Sequence, residues 1–167
     1  MPLSIGIIGF QGDVSEHAEL LKKAANKLGI EVEVKEVRNL AQLSSIEAII
    51  IPGGESTTMY KLLRLYSMYD RIRDMARNGL PVMGTCAGLI LISSKTNDER
   101  VQGMRFLLST MLHCSRYSAI FFPPPFALTS ATRVCDSVNP LDSPRTLMPA
   151  SWSPAASVLA FFIICFA

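Results

Sequence analysis

Residues 1–104 are predicted to form an open, doubly wound α/β domain with a mostly parallel sheet. Three observations carry this. Short Ile-rich runs alternate with segments of helical period. The runs end in glycine-bearing loops, where such sheets place their ligands. Composition also changes abruptly near residue 104. All ten glycines, and every lysine and glutamate, precede that point.

The elements follow in order. Residues 3–9 (L-S-I-G-I-I-G) read as a buried first strand, and residues 10–13 (F-Q-G-D) as the loop at its end. Val14, Ala18, Leu21, Ala25 and Leu28 recur every three or four residues, an amphipathic helix over 14–28 with Gly29 as its C-cap. Residues 31–37 (E-V-E-V-K-E-V) alternate with period two, a strand near a sheet edge. Residues 39–45 form a connector with room for one helical turn.

Residues 48–51 (A-I-I-I) form a short, wholly apolar strand, as in the middle of a parallel sheet. It runs into P-G-G-E-S-T-T, where Ser56 or Thr57 can cap the next helix. Met59, Leu62, Leu63 and Tyr66 give that helix its apolar stripe. A second helical piece covers 69–78, with Ile72, Met75 and Ala76 inward and Gly79 as its stop. Residues 81–84 form the fourth strand and 87–93 the helix after it.

Beyond Ser94 the signals weaken. Residues 95–100 read as a polar loop, and 105–112 as apolar strand or helix. Pro123-Pro124-Pro125 interrupts regular structure and argues against orderly strand pairing in the tail. Residues 136–156 are Ser/Pro-rich, a loop or disordered segment. Residues 158–167 are apolar but too short for a bilayer, which needs ~20 residues. Residues 105–167 hold seven of the ten prolines and only six charged residues. The chain thus divides into a domain at 1–104 and a divergent tail at 105–167, a shifted reading frame or an unrelated fused segment. A doubly wound sheet that lacks its last strands would expose an apolar edge.

A net charge of +2 with scattered basic residues gives no footprint for nucleic acid. The N-terminus lacks a basic n-region, so no signal peptide is expected. No membrane association is expected either. The four cysteines, Cys86, Cys114, Cys135 and Cys165, form no C-x-x-C pair, which argues against zinc and thioredoxin-type sites. A working thiol fits a reducing cytoplasm. No metal or cofactor is expected.

Gly84-Thr85-Cys86-Ala87-Gly88, between an apolar run and a helical pattern, has the form of a nucleophile elbow. Cys86 would sit in the first turn of the helix, where the dipole favours its thiolate. The N–H of Ala87 would form half of an oxyanion hole. The alternative is a buried cysteine in a tight turn.

Three segments then match one family in order and spacing over about residues 3–103. They are I-G-x-x-x-x-Q-G-x-x-x-E-H (Ile5, Gly6, Gln11, Gly12, Glu16, His17), P-G-G-E-S-T-T-M (52–59) and G-T-C-A-G-L (84–89). The chain resembles the triad-type class I glutamine amidotransferases, most closely the glutaminase subunits of pyridoxal 5'-phosphate synthase. Another thiol-dependent α/β family with a similar elbow fits the P-G-G-E-S-T-T-M run less well.

The resemblance implies hydrolysis of L-glutamine to glutamate and ammonia. Cys86 would be the nucleophile that forms a glutamyl thioester. Gly54, Glu55 and Ser56 would bind glutamine, and Gly54 and Ala87 would supply the oxyanion donors. Gln11, Gly12 and His17 would face the synthase subunit that takes up the ammonia to build pyridoxal 5'-phosphate. By position alone, His17 reads equally as a surface or packing histidine, and Glu55 as a helix N-terminal residue.

The resemblance also implies a late H-x-E segment supplying the base and its partner. Nothing after Met104 resembles it, and residues 105–167 contain no glutamate. His113 is the one other histidine and is not assigned as the base. Little or no glutaminase activity is therefore expected of the chain as written. The alternative function is an inactive amidotransferase-like module that binds or regulates the synthase.

Overall fold

The computed structural model describes residues 1–94, 96 and 98–105, and the backbone of 118–121. The sequence readings for 106–112, 136–156 and 158–167, and His113, lie outside these residues.

Five strands form one sheet in the order β2-β1-β3-β4-β5. They are β1 (Leu3–Ile8), β2 (Val32–Val37), β3 (Ala48–Ile51), β4 (Val82–Thr85) and β5 (Ser118–Phe121). The first four pair in parallel, with Ile5 opposite both Val34 and Ala48, and Ile50 opposite Met83. Five helices connect them: α1 (Val14–Leu28), α2 (Leu40–Leu43), α3 (Ser56–Leu65), α4 (Met68–Arg77) and α5 (Ala87–Ile92).

Strand periodicity divides the core in two. Leu3, Ile5, Ile7, Ala48, Ile50 and Met83 project to the face covered by Leu21, Ala24 and Leu28 of α1. Ile8, Ile49, Ile51 and Val82 project to the other face, against α3, α4 and α5. Both faces of β3 are wholly buried, which explains its unbroken apolar sequence. The mixed polarity of β2 follows from its place at the edge, where Val32, Val34 and Lys35 are only partly buried.

Helix α1 begins and ends where its periodicity places it. Gly29 adopts φ 67° and its N–H reaches the last turn, as a left-handed C-cap requires. The connector after β2 holds a single helical turn, α2, capped by Asn39 Oδ1 accepting from the N–H of Gln42 at 3.1 Å.

Four details differ from the sequence reading. Glu55, rather than Ser56 or Thr57, caps α3, because its longer side chain brings two oxygens back over the first turn. Tyr66 lies beyond α3 and is half-exposed; its ring stacks on Phe10 at 5.1 Å instead of joining the core stripe. Cys86 is the N-cap of α5 and not part of its first turn. The tail also contributes an ordered strand. β5 pairs antiparallel with β4, Ser118 opposite Thr85 and Phe121 opposite Val82, and covers the edge expected to be open. Its last residue is Phe121, and the sequence reading of Pro123-Pro124-Pro125 lies outside the described residues.

Candidate active site

The chain leaves β1 toward β2 on one side, then crosses back to β3 and β4 on the other. The reversal falls between β1 and β3, and the crevice outside their C-terminal ends is where such sheets bind ligands. The loop after β1 (Phe10 to Asp13) and the loop after β3 (Pro52 to Glu55) meet there. The end of β4 brings Cys86 alongside.

Cys86 has φ 50° and ψ −108°, a left-handed backbone that non-glycine residues rarely adopt. Its carbonyl accepts the N–H of Ile90 at 3.3 Å, so the strained residue is locked to the helix it starts. The side chain is exposed, while Thr85 is half-buried and Ala87 fully buried. This rules out the buried-cysteine alternative. A strand, a strained thiol-bearing residue and a helix in succession have the form of a nucleophile elbow.

Glycines let the loops close on one another. A Cβ on Gly88 would overlap the carbonyl oxygen of Ile51, so the start of α5 lies directly against the end of β3. Gly12, at φ 87°, touches the Gly53 carbonyl in the same way. A Cβ built on Gly53 would stand 3.5 Å from the Cβ of Cys86, and one on Gly54 2.9 Å from Cδ of Gln11. Gln11, Gly12, Gly53, Gly54 and Cys86 therefore form one continuous cluster. Gln11 Nε2 also donates to the Glu55 carbonyl at 2.6 Å.

The carboxylate of Glu55 is committed to α3. It accepts the N–H of Thr57 at 3.1 Å, the N–H of Thr58 at 2.5 Å and the Thr57 hydroxyl at 2.6 Å. These bonds, the Thr57 side chain foremost, pull its pKa down from 4.5 to about 2. The sequence left Glu55 between capping and substrate binding. In the structure its carboxylate caps the helix, and its backbone carbonyl meets Gln11. Ser56 opens α3 half-buried beside it.

His17 is half-buried near the start of α1. Its Nδ1 lies 2.7 Å from the Asp13 carbonyl and its Nε2 lies 3.1 Å from the Thr85 hydroxyl. Sequence reading singled out His17 but not Thr85. The available signal was position, since Thr85 is the last strand residue before Cys86. Among the described residues, no cluster of three His, Cys, Asp or Glu is placed to hold a metal ion. None of the described helices is long and apolar enough to cross a membrane.

Fold and site together define an open doubly wound α/β domain that carries an exposed thiol at its β4–α5 turn, against a glycine loop. Residues 7–115 match the model of the SNO glutamine amidotransferase family, and the chain belongs to that family. It is 50% identical over 105 residues to the pyridoxal 5'-phosphate synthase subunit PdxT of Thermoplasma acidophilum, covering 63% of this chain and 51% of the relative. The corresponding subunit of Thermoplasma volcanium is 50% identical over 110 residues, 66% of this chain and 55% of the relative. A solved glutamine amidotransferase superposes with a TM-score of 0.51 at 39% identity, over 62% of this chain and 52% of that one. The chain spans about half the length of the curated relatives it matches.

Proposed function

We propose that this chain carries the nucleophile side of a glutaminase site, the glutamine-hydrolysing part of a pyridoxal 5'-phosphate synthase. The observation that supports it best is the strained, exposed Cys86 set against Gly53 of the β3 loop. The Cys86 thiolate attacks the side-chain amide carbon of L-glutamine. Backbone N–H groups of Gly54 and Ala87 receive the developing oxyanion; one such donor is worth ~10²–10³ in rate. Collapse of the tetrahedral intermediate, with a proton delivered to nitrogen, releases ammonia and leaves a glutamyl thioester. Water then cleaves the thioester to glutamate and restores the thiol. Gly54, Glu55 and Ser56 line the substrate side, Glu55 through its backbone. The face formed by Gln11, Gly12 and His17 meets the synthase subunit that consumes the ammonia. An exposed thiol of this kind belongs in a reducing compartment, which we take to be the cytoplasm.

A second reading is an inactive module that occupies the synthase without hydrolysing glutamine. It is favoured by the residues after Met104, which contain no glutamate and no H-x-E triplet. Loss of general acid–base assistance costs ~10²–10⁴ in rate. The two readings separate in one experiment. The full chain is treated with a glutamine chloroketone, and ammonia release from glutamine is measured alone and with a synthase subunit. Saturable labelling of Cys86, suppressed by glutamine, is the expected result, with ammonia release at least ~10²-fold below that of a full-length relative. Labelling without saturation would remove the glutaminase reading. Ammonia release at the relative's rate would remove the inactive one.

A further inference from the structure

We infer that His17 is a positioning residue for the nucleophile, acting through the hydroxyl of Thr85. The inference goes beyond the glutaminase reading, and depends on it only for the reaction that this positioning serves.

Partner chemistry fixes the proton on the ring. The Asp13 carbonyl, 2.7 Å from Nδ1, can only accept, so Nδ1 carries the hydrogen. In the neutral imidazole Nε2 is then the acceptor, and the Thr85 hydroxyl donates to it across 3.1 Å. The bond joins residues 68 apart in sequence, the first turn of α1 and the last residue of β4.

Its placement gives it a consequence. Thr85 is bonded directly to Cys86, whose φ of 50° needs a firm hold on both sides. On the helix side that hold is the Ile90 N–H on the Cys86 carbonyl and the packing of Gly88 on Ile51. On the strand side the Thr85 side chain is held by His17. The ring in turn is held by the Asp13 carbonyl, in the loop whose Gln11 donates to Glu55. The β1–α1 loop is thereby tied to the nucleophile through side-chain bonds, so a displacement of that loop reaches Cys86 through Thr85.

The test uses the full chain, with two readouts independent of glutamine turnover. In nitrogen-15 spectra at alkaline pH, Nδ1 of His17 is expected as the protonated nitrogen and Nε2 as the bare one. Thr85→Val, which keeps the shape and removes the hydroxyl, shifts the Nε2 resonance, and Thr85→Ser restores it. The second readout is the rate of Cys86 alkylation by iodoacetamide, followed by peptide mapping. Thr85→Val and His17→Ala each change it about tenfold in the same direction, the scale of one hydrogen bond. Thr85→Ser and His17→Gln stay within about twofold, and the double variant goes no further than either single one.

An Nε2–H tautomer in the parent chain, or a Thr85→Val variant indistinguishable from Thr85→Ser in both readouts, would overturn the inference. Failure of the glutaminase reading looks different. There, glutamine chloroketone would react no faster than iodoacetamide, while the dependence on Thr85 and His17 remained.

Discussion

Cys86 and Gly88 show how much of the site is enforced by backbone. A non-glycine residue at positive φ stores ~1–3 kcal/mol, which the surrounding turn must sustain. Glycine adopts that conformation freely, so the usual cost of glycine should invert here. Cys86→Gly is expected to be more stable than Cys86→Ala by about 1 kcal/mol in urea unfolding, with both refractory to labelling by glutamine chloroketone. Equal stability would mean that the elbow is unstrained. Gly88 carries the opposite constraint. An alanine there must displace α5 from the Ile51 carbonyl, and Gly88→Ala is expected to lose ~1–3 kcal/mol and slow the labelling of Cys86. At this scale the sequence was informative wherever chemistry demands a residue type: the thiol, and the glycines around it. It was silent on Thr85, because a threonine at a strand end is ordinary until the fold brings His17 to it.

The starts of α3 and α5 were less legible than the ends of α1, and for α3 the reason lies in side-chain reach. The periodicity of Val14, Leu21 and Leu28 locates α1, and unbroken isoleucines locate β3, because burial dictates both patterns. The cap of α3 was misplaced by one or two residues, since serine and threonine usually cap and a glutamate competes only when its carboxylate folds back over the first turn. That geometry makes the helix start sensitive to acid. The Glu55 pKa falls from 4.5 in the open chain to about 2 in the folded one. The depressed value favours the folded state above pH 4.5, and the advantage fades as pH drops toward 2. Glu55→Gln should flatten the stability profile of the chain over this interval while leaving its slope above pH 5 unchanged. Parallel acid profiles for the two proteins would show that the carboxylate does not support α3. Tyr69 in α4 offers a second check, through its hydroxyl bond to the Gln102 carbonyl at 2.7 Å. This bond pins the segment after α5 to the helical layer. Tyr69→Phe is expected to cost ~0.5–1.5 kcal/mol, measurable by urea unfolding.

The whole molecule is organised by the reversal between β1 and β3, which makes the crevice and sets which strands lie inside. The first four strands were readable in chain order, but their order in the sheet followed only from fold class and from the polarity of residues 31–37. β5 was not readable, because four residues beside a triple proline carry no strand period of their own; the pairing with β4 becomes visible only in the fold. The sheet order has a measurable consequence. Ile50 lies in β3, bonded to strands on both sides and wholly buried against the α1 layer. Val34 lies in β2, at the edge, and is only partly covered. Truncating Ile50 opens a cavity that neighbouring strands cannot close, so Ile50→Ala should cost ~2–5 kcal/mol. Val34→Ala removes a side chain that water already reaches, and should cost about 1 kcal/mol or less. Urea midpoints of the two variants, compared at equal slope, test the arrangement directly. If Val34→Ala proved as costly as Ile50→Ala, β2 could not be an edge strand. The crevice would then not lie between β1 and β3, and the meeting of Gln11, Gly54 and Cys86 would need another explanation.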